Sequence, residues 1–156
     1  MKSLHNARYS EMARAAAMER LWTLAAVLSD GMQGGLAERG LTLARAALLW
    51  QLRRDGPLTQ KALSRALRVT PRNITGLVDG LAAQGLVARK THPSDRRATL
   101  VTLSDKGAAM TRTMRRDQDR FAELLFKDVS ASEIATFAKV VDRVLVAIRD
   151  ALRPTS

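Results

Sequence analysis

The segment from Thr59 to Gly85 constrains the fold most strongly, because it specifies two short helices with almost no chain between them. Thr59 is a good N-cap for the first helix, and Thr70 for the second. Pro71 then occupies the first helical position, where proline loses no intrahelical hydrogen bond. Residues 68–69 leave only a tight turn, and Gly85 marks the end of the second helix. The segment is therefore a helix-turn-helix whose second helix is the recognition helix.

A β-hairpin is predicted directly after the recognition helix. Residues 86–92 and 98–103 are typical of strands, since half of the second run is β-branched and a polar segment separates the two. A hairpin in this position is the wing of a winged helix-turn-helix. We therefore predict a mainly α-helical fold with a small β-hairpin wing, in which residues 41–107 form a DNA-binding module.

Amphipathic helices are predicted on both sides of this module. One runs from about Ser10, a suitable N-cap, to Met32. Another begins at Ser104 and ends near Phe126, and a third follows a capping box that opens at Ser130. The winged helix-turn-helix is thus flanked by N-terminal and C-terminal helices.

The flanking segments, residues 1–40 and 108–156, carry more apolar side chains than so small a module needs for its own core. We predict that they pack together, within one integrated domain, and against the same helices of a second copy. The resulting homodimer would hold two recognition helices about one helical turn of DNA apart, as a pseudo-palindromic site requires. The alternative is an intramolecular bundle in a monomer.

Positive charge is concentrated on the predicted module. The formal net charge is +11, and residues 59–107 contain three acidic and nine basic residues, namely Lys61, Arg65, Arg68, Arg72, Arg89, Lys90, Arg96, Arg97 and Lys106. A concentrated positive field favours a polyanion, either nucleic acid or an anionic membrane. The alternative is an ordinary, well-charged protein surface.

The residue inventory argues against an enzyme. The chain has no cysteine, and its two histidines, His5 and His92, are far apart in sequence. Disulfides and thiolate metal sites are excluded, and neither a histidine triad nor a catalytic metal is expected. We predict no catalytic residues, no metal and no cofactor. The charged N-terminus and the absence of a long apolar run predict a cytoplasmic protein without a membrane partner.

The start of the recognition helix carries the side chains that base reading needs, namely Thr70, Arg72, Asn73 and Thr75. Arg72 suits guanine, Asn73 suits adenine or a phosphate, and the threonines suit a phosphate or a thymine methyl. For Thr70 the alternative is a purely capping role. A capped helix N-terminus is, however, itself a phosphate site.

The predicted wing supplies a second set of candidates, namely Lys90, His92, Asp95, Arg96 and Arg97. An arginine at a wing tip can enter a narrow minor groove, where the negative potential is enhanced. Asp95 is expected to orient an arginine, because phosphate repels a carboxylate. Lys90 and His92 are expected to contact phosphates. The alternative is that the arginines are solvated turn residues.

Several short motifs follow one another in a fixed order, namely Leu77-Val78-Asp79 before Leu81, Gly85-Leu86-Val87 with Arg89, Asp95-Arg96-Arg97, and Leu103 with Gly107. In this order and spacing, the chain resembles the MarR family of bacterial transcriptional regulators. The resemblance implies a triangular α/β dimer with the terminal helices at its interface and one winged module per subunit. It also implies that Asp95 and Arg97 form the wing-tip pair.

The chain departs from the family pattern at four positions. Arg68 stands where glycine is frequent in the turn, and Ala62 stands where an acidic residue is frequent. Gly76 and Gly80 lie inside the recognition helix, each at a cost of about 1 kcal/mol relative to alanine. Such glycines are tolerable where one helix face approaches DNA or a neighbouring helix closely.

The resemblance further implies a small phenolic or anionic effector, bound between the dimer helices and the winged module, that releases DNA. The candidate lining is Trp22, Trp50, Asp79, Arg112 and Arg115. The aromatic rings would stack on a planar ligand, and an arginine would pair with its charge. The alternative is that the tryptophans are core residues and the arginines a solvated face.

The sequence thus predicts a sequence-specific regulator that binds double-stranded DNA, acts as a repressor and is released by a small ligand. The alternative function is an architectural protein that binds DNA without sequence preference.

Overall fold

The computed structural model describes residues 2–91 and 99–152, with side chains from residue 11 onward. In chain order the elements are α1 (Lys2–Ala37), α2 (Leu43–Asp55), β1 (Leu58–Thr59), α3 (Gln60–Leu67), α4 (Pro71–Ala83), β2 (Val87–Thr91), β3 (Thr99–Leu103), α5 (Asp105–Leu125) and α6 (Ala131–Ala151). The chain forms two compact units that divide within α5, after Thr111. The predicted fold class, mainly helical with a small antiparallel sheet, is confirmed.

The sheet has three antiparallel strands in the order β1-β3-β2. Arg89 of β2 lies opposite Val101 of β3, and Leu58 of β1 lies opposite the same Val101 from the other side. Val101 is consequently fully buried in the central strand. The sequence analysis predicted both hairpin strands but not β1, because a two-residue strand has no periodicity and exists only through its pairing with β3.

The core of the first unit is built from side chains at helical spacing on three helices. Leu48 and Leu49 of α2, Leu63 of α3, and Ile74 and Leu81 of α4 are all essentially inaccessible to solvent. Their packing fixes the orientation of α4, since one face of this helix is committed to the core. The opposite face is left to solvent.

The predicted starts of α3, α4 and α6 are confirmed by their hydrogen bonds. The Oγ1 atom of Thr59 accepts a hydrogen bond from the backbone N–H of Ala62, and Thr70 does the same for Asn73, each at 3.2 Å. Ser130 and Glu133 form the capping box at the start of α6. There the Ser130 hydroxyl and backbone N–H donate to the Glu133 carboxylate, which lowers the pKa of Glu133.

The turn between α3 and α4 contains a left-handed arginine. Arg68 has φ 53° and ψ 41°, and it is the only non-glycine residue with positive φ in the described part of the chain. This conformation costs an L-residue roughly 1–2 kcal/mol. Ser64 holds the turn closed, because its hydroxyl donates to the Val69 carbonyl at 2.6 Å while its own carbonyl accepts from the Val69 N–H at 3.1 Å.

The predicted bounds of the first helix are wrong. Helix α1 begins at Lys2 instead of being capped by Ser10, and it continues past Met32 to Ala37. A serine is tolerated inside a helix, and no proline or glycine precedes Ser10 to stop one. The helix ends where Gly40 takes a φ of 66° and the N–H of Leu41 reaches back to the carbonyl of Leu36.

The end of α4 is joined tightly to the start of α5. The Ser104 hydroxyl donates to the Gly85 carbonyl at 2.6 Å, and the Lys106 ammonium group donates to the Gln84 carbonyl at 2.8 Å. Gly107 packs so closely that a Cβ atom there would overlap the Leu86 carbonyl oxygen. This junction fixes the base of the hairpin relative to the recognition helix.

We predict that Gly107→Ala lowers the free energy of unfolding by about 1–3 kcal/mol, because backbone atoms must shift to admit the methyl group. The matched control is Gly31→Ala, since a Cβ atom at Gly31 meets nothing within 4 Å. That control should raise the free energy of unfolding by up to about 1 kcal/mol through helix propensity. Urea denaturation of both variants measures the difference, and equal effects would contradict the close junction.

Candidate nucleic-acid interface

The outward face of α4 presents the candidate base-reading residues. Ile74, Val78 and Leu81 turn into the core, so that Arg72, Asn73, Thr75, Gly76 and Asp79 lie exposed. The side chains of Gln60 and Arg89 contact this face at Thr75 and Asp79 but leave both of these residues exposed. Its polar side chains therefore stand at the helix end where a recognition helix meets base edges.

The four candidate side chains at the start of α4 differ in whether they already have hydrogen-bond partners. The Thr70 oxygen is engaged as the cap, and the Thr75 hydroxyl lies 3.0 Å from the Pro71 carbonyl oxygen and 3.2 Å from the Gln60 amide oxygen. Because these contacts occupy the Thr75 hydroxyl, its methyl group is the part left for a ligand. Among the described residues, the side chains of Arg72 and Asn73 have no hydrogen-bond or ion-pair partner.

The hairpin adds one described candidate and one ion pair. Lys90 of β2 is exposed, opposite Leu100. Its neighbour Arg89 forms a close ion pair with Asp79 of α4, which ties the wing strand to the recognition helix. The wing candidates His92, Asp95, Arg96 and Arg97 lie outside the described residues.

The helix-turn-helix forms an uninterrupted cationic surface. No acidic residue occurs from residue 56 to residue 78, and the four basic residues in this stretch, Lys61, Arg65, Arg68 and Arg72, are all exposed. The next residue, Asp79, is neutralised by Arg89. Such a surface suits a polyanion, because no carboxylate on it repels phosphate.

Two residues at this surface, Gln60 and Arg68, were not among the DNA-binding candidates predicted from the sequence. Gln60 reaches Thr75 although the two are far apart in the chain, and only the helix-turn-helix geometry brings them together. Arg68 was counted among the nine basic residues of the module, but it was not named as a DNA-binding candidate. The signal available for Arg68 was its place two residues before the cap of α4.

The two glycines of α4 have different surroundings. A Cβ atom at Gly80 would lie 2.9 Å from the Cζ atom of Arg45, so that the side chain of α2 packs directly on the helix backbone. The glycine at position 80 thus leaves room for the guanidinium group of Arg45. A Cβ atom at Gly76 would meet nothing within 4 Å, which leaves open space on the exposed face.

The five candidates for an effector site differ in their exposure to solvent and in their ion pairing. In the first unit, Trp22 is 71% exposed on α1, Trp50 is half-buried on α2, and Asp79 is paired with Arg89. In the second unit, Arg112 is exposed, and Arg115 pairs with Asp119 one turn later on α5 at 2.9 Å. An anionic or cationic ligand therefore has to compete with existing partners at two of the five positions.

Two kinds of feature are absent from the described residues. No group of three or more histidine, aspartate or glutamate side chains there is arranged to hold a metal ion. None of the helices there combines the length and the hydropathy needed to cross a membrane.

The chain is similar to known proteins. A model of the MarR family matches residues 41–99. The multiple antibiotic resistance protein MarR of Salmonella typhimurium is 30% identical over 112 residues, which cover 70% of this chain and 77% of that protein. The uncharacterized HTH-type transcriptional regulator YdgJ of Bacillus subtilis is 28% identical over 104 residues, covering 67% of this chain and 63% of that regulator.

Solved structures share the architecture. A crystal structure of a MarR family transcription regulator superposes with a TM-score of 0.82 at 20% identity, over 94% of this chain and 97% of that one. Streptococcus pneumoniae FabT, solved in complex with DNA, has a TM-score of 0.78 at 20% identity, over 86% of this chain and 96% of its own. These likenesses establish the shared fold.

We predict that Asp79→Asn lowers the free energy of unfolding by at most about 1 kcal/mol, because the pair that Asp79 makes with Arg89 is partly exposed and screened by water. The loss should shrink in 1 M salt, where the Debye length is about 3 Å. A double-mutant cycle with Arg89→Gln isolates the pair. A coupling energy of zero at low salt would show that the two side chains do not interact in solution.

Proposed function

The chain belongs to the MarR family of winged helix-turn-helix transcriptional regulators, and from this premise we propose that it is a repressor that binds a pseudo-palindromic operator as a homodimer. The observation that carries the proposal is the exposed start of α4, where Arg72 and Asn73 stand without partners in the described structure on an acid-free cationic surface. The DNA complex of FabT, which shares this fold, supports the same use of the module. Acting there, the protein would reside in the cytoplasm with the nucleoid.

The residues at the start of α4 divide between positioning and base reading. In this proposal Arg72 donates a bidentate pair of hydrogen bonds to guanine O6 and N7, and Asn73 pairs with adenine or a phosphate. Thr70 and the N-terminus of α4 hold a phosphate. Thr75 offers its methyl group to a thymine methyl, because its hydroxyl already contacts Pro71 and Gln60.

The wing would supply the second set of contacts. Lys90, which is exposed on β2, is proposed to bind a phosphate together with His92. Arg96 and Arg97 are proposed to enter the minor groove, with Asp95 orienting one of them. The ion pair between Asp79 and Arg89 would hold this wing at a fixed angle to the recognition helix.

Dimerisation is proposed from the apolar side chains that a single chain leaves in water. On α1 the exposed large apolar residues are Met12, Met18, Leu21, Trp22, Leu24, Val27 and Met32. On α5 and α6 they include Phe121, Leu124, Leu125, Phe137, Val140, Leu145, Val146 and Ile148. Apolar surface on this scale is unusual on a monomer and typical of an interface. The terminal segments 1–40 and 108–156 are thus proposed as the dimerisation helices, and 41–107 as the reading module.

Release by a small phenolic or anionic effector is also part of the proposal. The exposed ring of Trp22 and the exposed Arg112 remain available for such a ligand. Asp79 and Arg115 would first have to give up their ion-pair partners. We therefore expect any effector to act partly by breaking the pair between Asp79 and Arg89.

We predict a light-scattering mass of twice the 17.1 kDa chain at micromolar concentration. Ile148→Lys should shift the mass toward one chain, because it places a charge among apolar side chains that are exposed only in the monomer. Asp142→Asn, which changes the charge by the same +1 at an exposed polar position of α6, serves as the control. A wild-type mass of one chain would contradict the dimer.

The DNA-binding proposal is tested by selecting duplexes from a random library with the wild-type protein. We expect a pseudo-palindromic sequence bound far more tightly than a scrambled duplex at the same salt concentration. Arg72→Ala should relax the preference at one base position, at a cost of about 1–3 kcal/mol there, whereas Arg97→Ala should weaken binding to both duplexes. Equal affinity of the wild type for the two duplexes would instead favour an architectural DNA-binding protein.

A further inference from the structure

Arg68 occupies a position where the rest of the described chain uses glycine. The other three residues with positive φ in that part of the chain are Gly40, Gly56 and Gly85. At position 68 the backbone adopts the same left-handed region, with φ 53°, but carries a long cationic side chain. A strained backbone that glycine would relieve is often retained because the side chain has a function.

The local structure does not use the Arg68 side chain. The turn is closed by backbone groups and by the Ser64 hydroxyl, which donates to the Val69 carbonyl. Among the described residues, the Arg68 guanidinium has no hydrogen-bond or ion-pair partner, and the residue is exposed. Glycine at this position would close the same turn through the same backbone N–H.

The surroundings of Arg68 suit a phosphate. The residue lies between the exposed cations Arg65 and Arg72 and two residues before Thr70, the cap of α4. Phosphates flanking the major groove approach the N-terminus of a recognition helix, and backbone contacts of this kind set the register of the protein on DNA. The nearest acidic residues in sequence are Asp55 and Asp79.

We propose that Arg68 is a positioning residue that binds a DNA phosphate beside the recognition helix, and that its left-handed conformation is retained for this contact. The inference rests on the proposed function, since it requires that α4 enter the major groove. A phosphate contact carries no sequence information, so Arg68 contributes equally to operator and scrambled DNA. In this respect it differs from Arg72, which is proposed to read a base.

The test measures the salt dependence of binding to the duplex selected by the wild type and to its scrambled counterpart. Each phosphate contact contributes about 0.9 to the slope of log K against log salt concentration. Arg68→Gly and Arg68→Asn should each reduce the slope by about 1.8 for the two Arg68 side chains of a dimer, and should weaken binding about tenfold or more at 0.1 M salt. The ratio of the two affinities should stay within threefold of the wild-type ratio.

Two further variants distinguish a phosphate contact by Arg68 from an effect of total charge on DNA binding. Arg68→Lys keeps the cation and should retain the wild-type slope. Lys139→Gln removes one exposed cation from α6 and should leave the slope unchanged, because Lys139 lies outside the proposed interface. Unfolded protein lowers the apparent affinity without changing the slope, so a stability defect cannot imitate the expected result.

A wild-type slope in Arg68→Gly overturns the inference and leaves the proposed function intact. A slope that falls equally in Lys139→Gln overturns it as well, since total charge would then account for the effect. If the wild type itself does not distinguish selected from scrambled DNA, the proposed function fails first.

Discussion

The structure depends on the burial of one face of α4. Ile74, Val78 and Leu81 pack against leucines of α2 and α3, and all are essentially inaccessible to solvent. Since the side chains of a helix are rigidly phased, burying this face decides which residues stand outward. Core packing therefore orients Arg72 and Asn73, whose side chains have no hydrogen-bond or ion-pair partner among the described residues. A module that orients its candidate reading residues through its core can vary them without loss of the fold.

Much of this arrangement could be predicted because its signals are local. The caps at Thr59, Thr70 and Ser130 act through hydrogen bonds to residues three positions later, so the sequence alone specifies them. For Arg68 the sequence showed only that an arginine stands where glycine is frequent in the turn, and the structure supplied its left-handed conformation. The start of α1 was missed because Ser10 has a strong capping propensity that longer helical context overrides.

The features that could not be predicted are contacts between distant parts of the chain. The strand β1 exists only through its pairing with β3, and Gln60 meets Thr75 only once the two helices have packed. The same applies to Gly80, whose purpose is visible only when Arg45 lies across it. Sequence patterns located the candidate DNA-reading helix. The structure was needed to show which of its side chains already have hydrogen-bond partners.

The junction between α4 and α5 has a consequence for how such proteins can diverge. Ser104, Lys106 and Gly107 anchor the returning strand to the carbonyls of Gln84, Gly85 and Leu86, so the hairpin leaves and re-enters the module at fixed points. Residues inserted or deleted between the two strands would change how far the hairpin reaches and leave its direction unaltered. Evolution can thus change the length of the hairpin without changing its orientation.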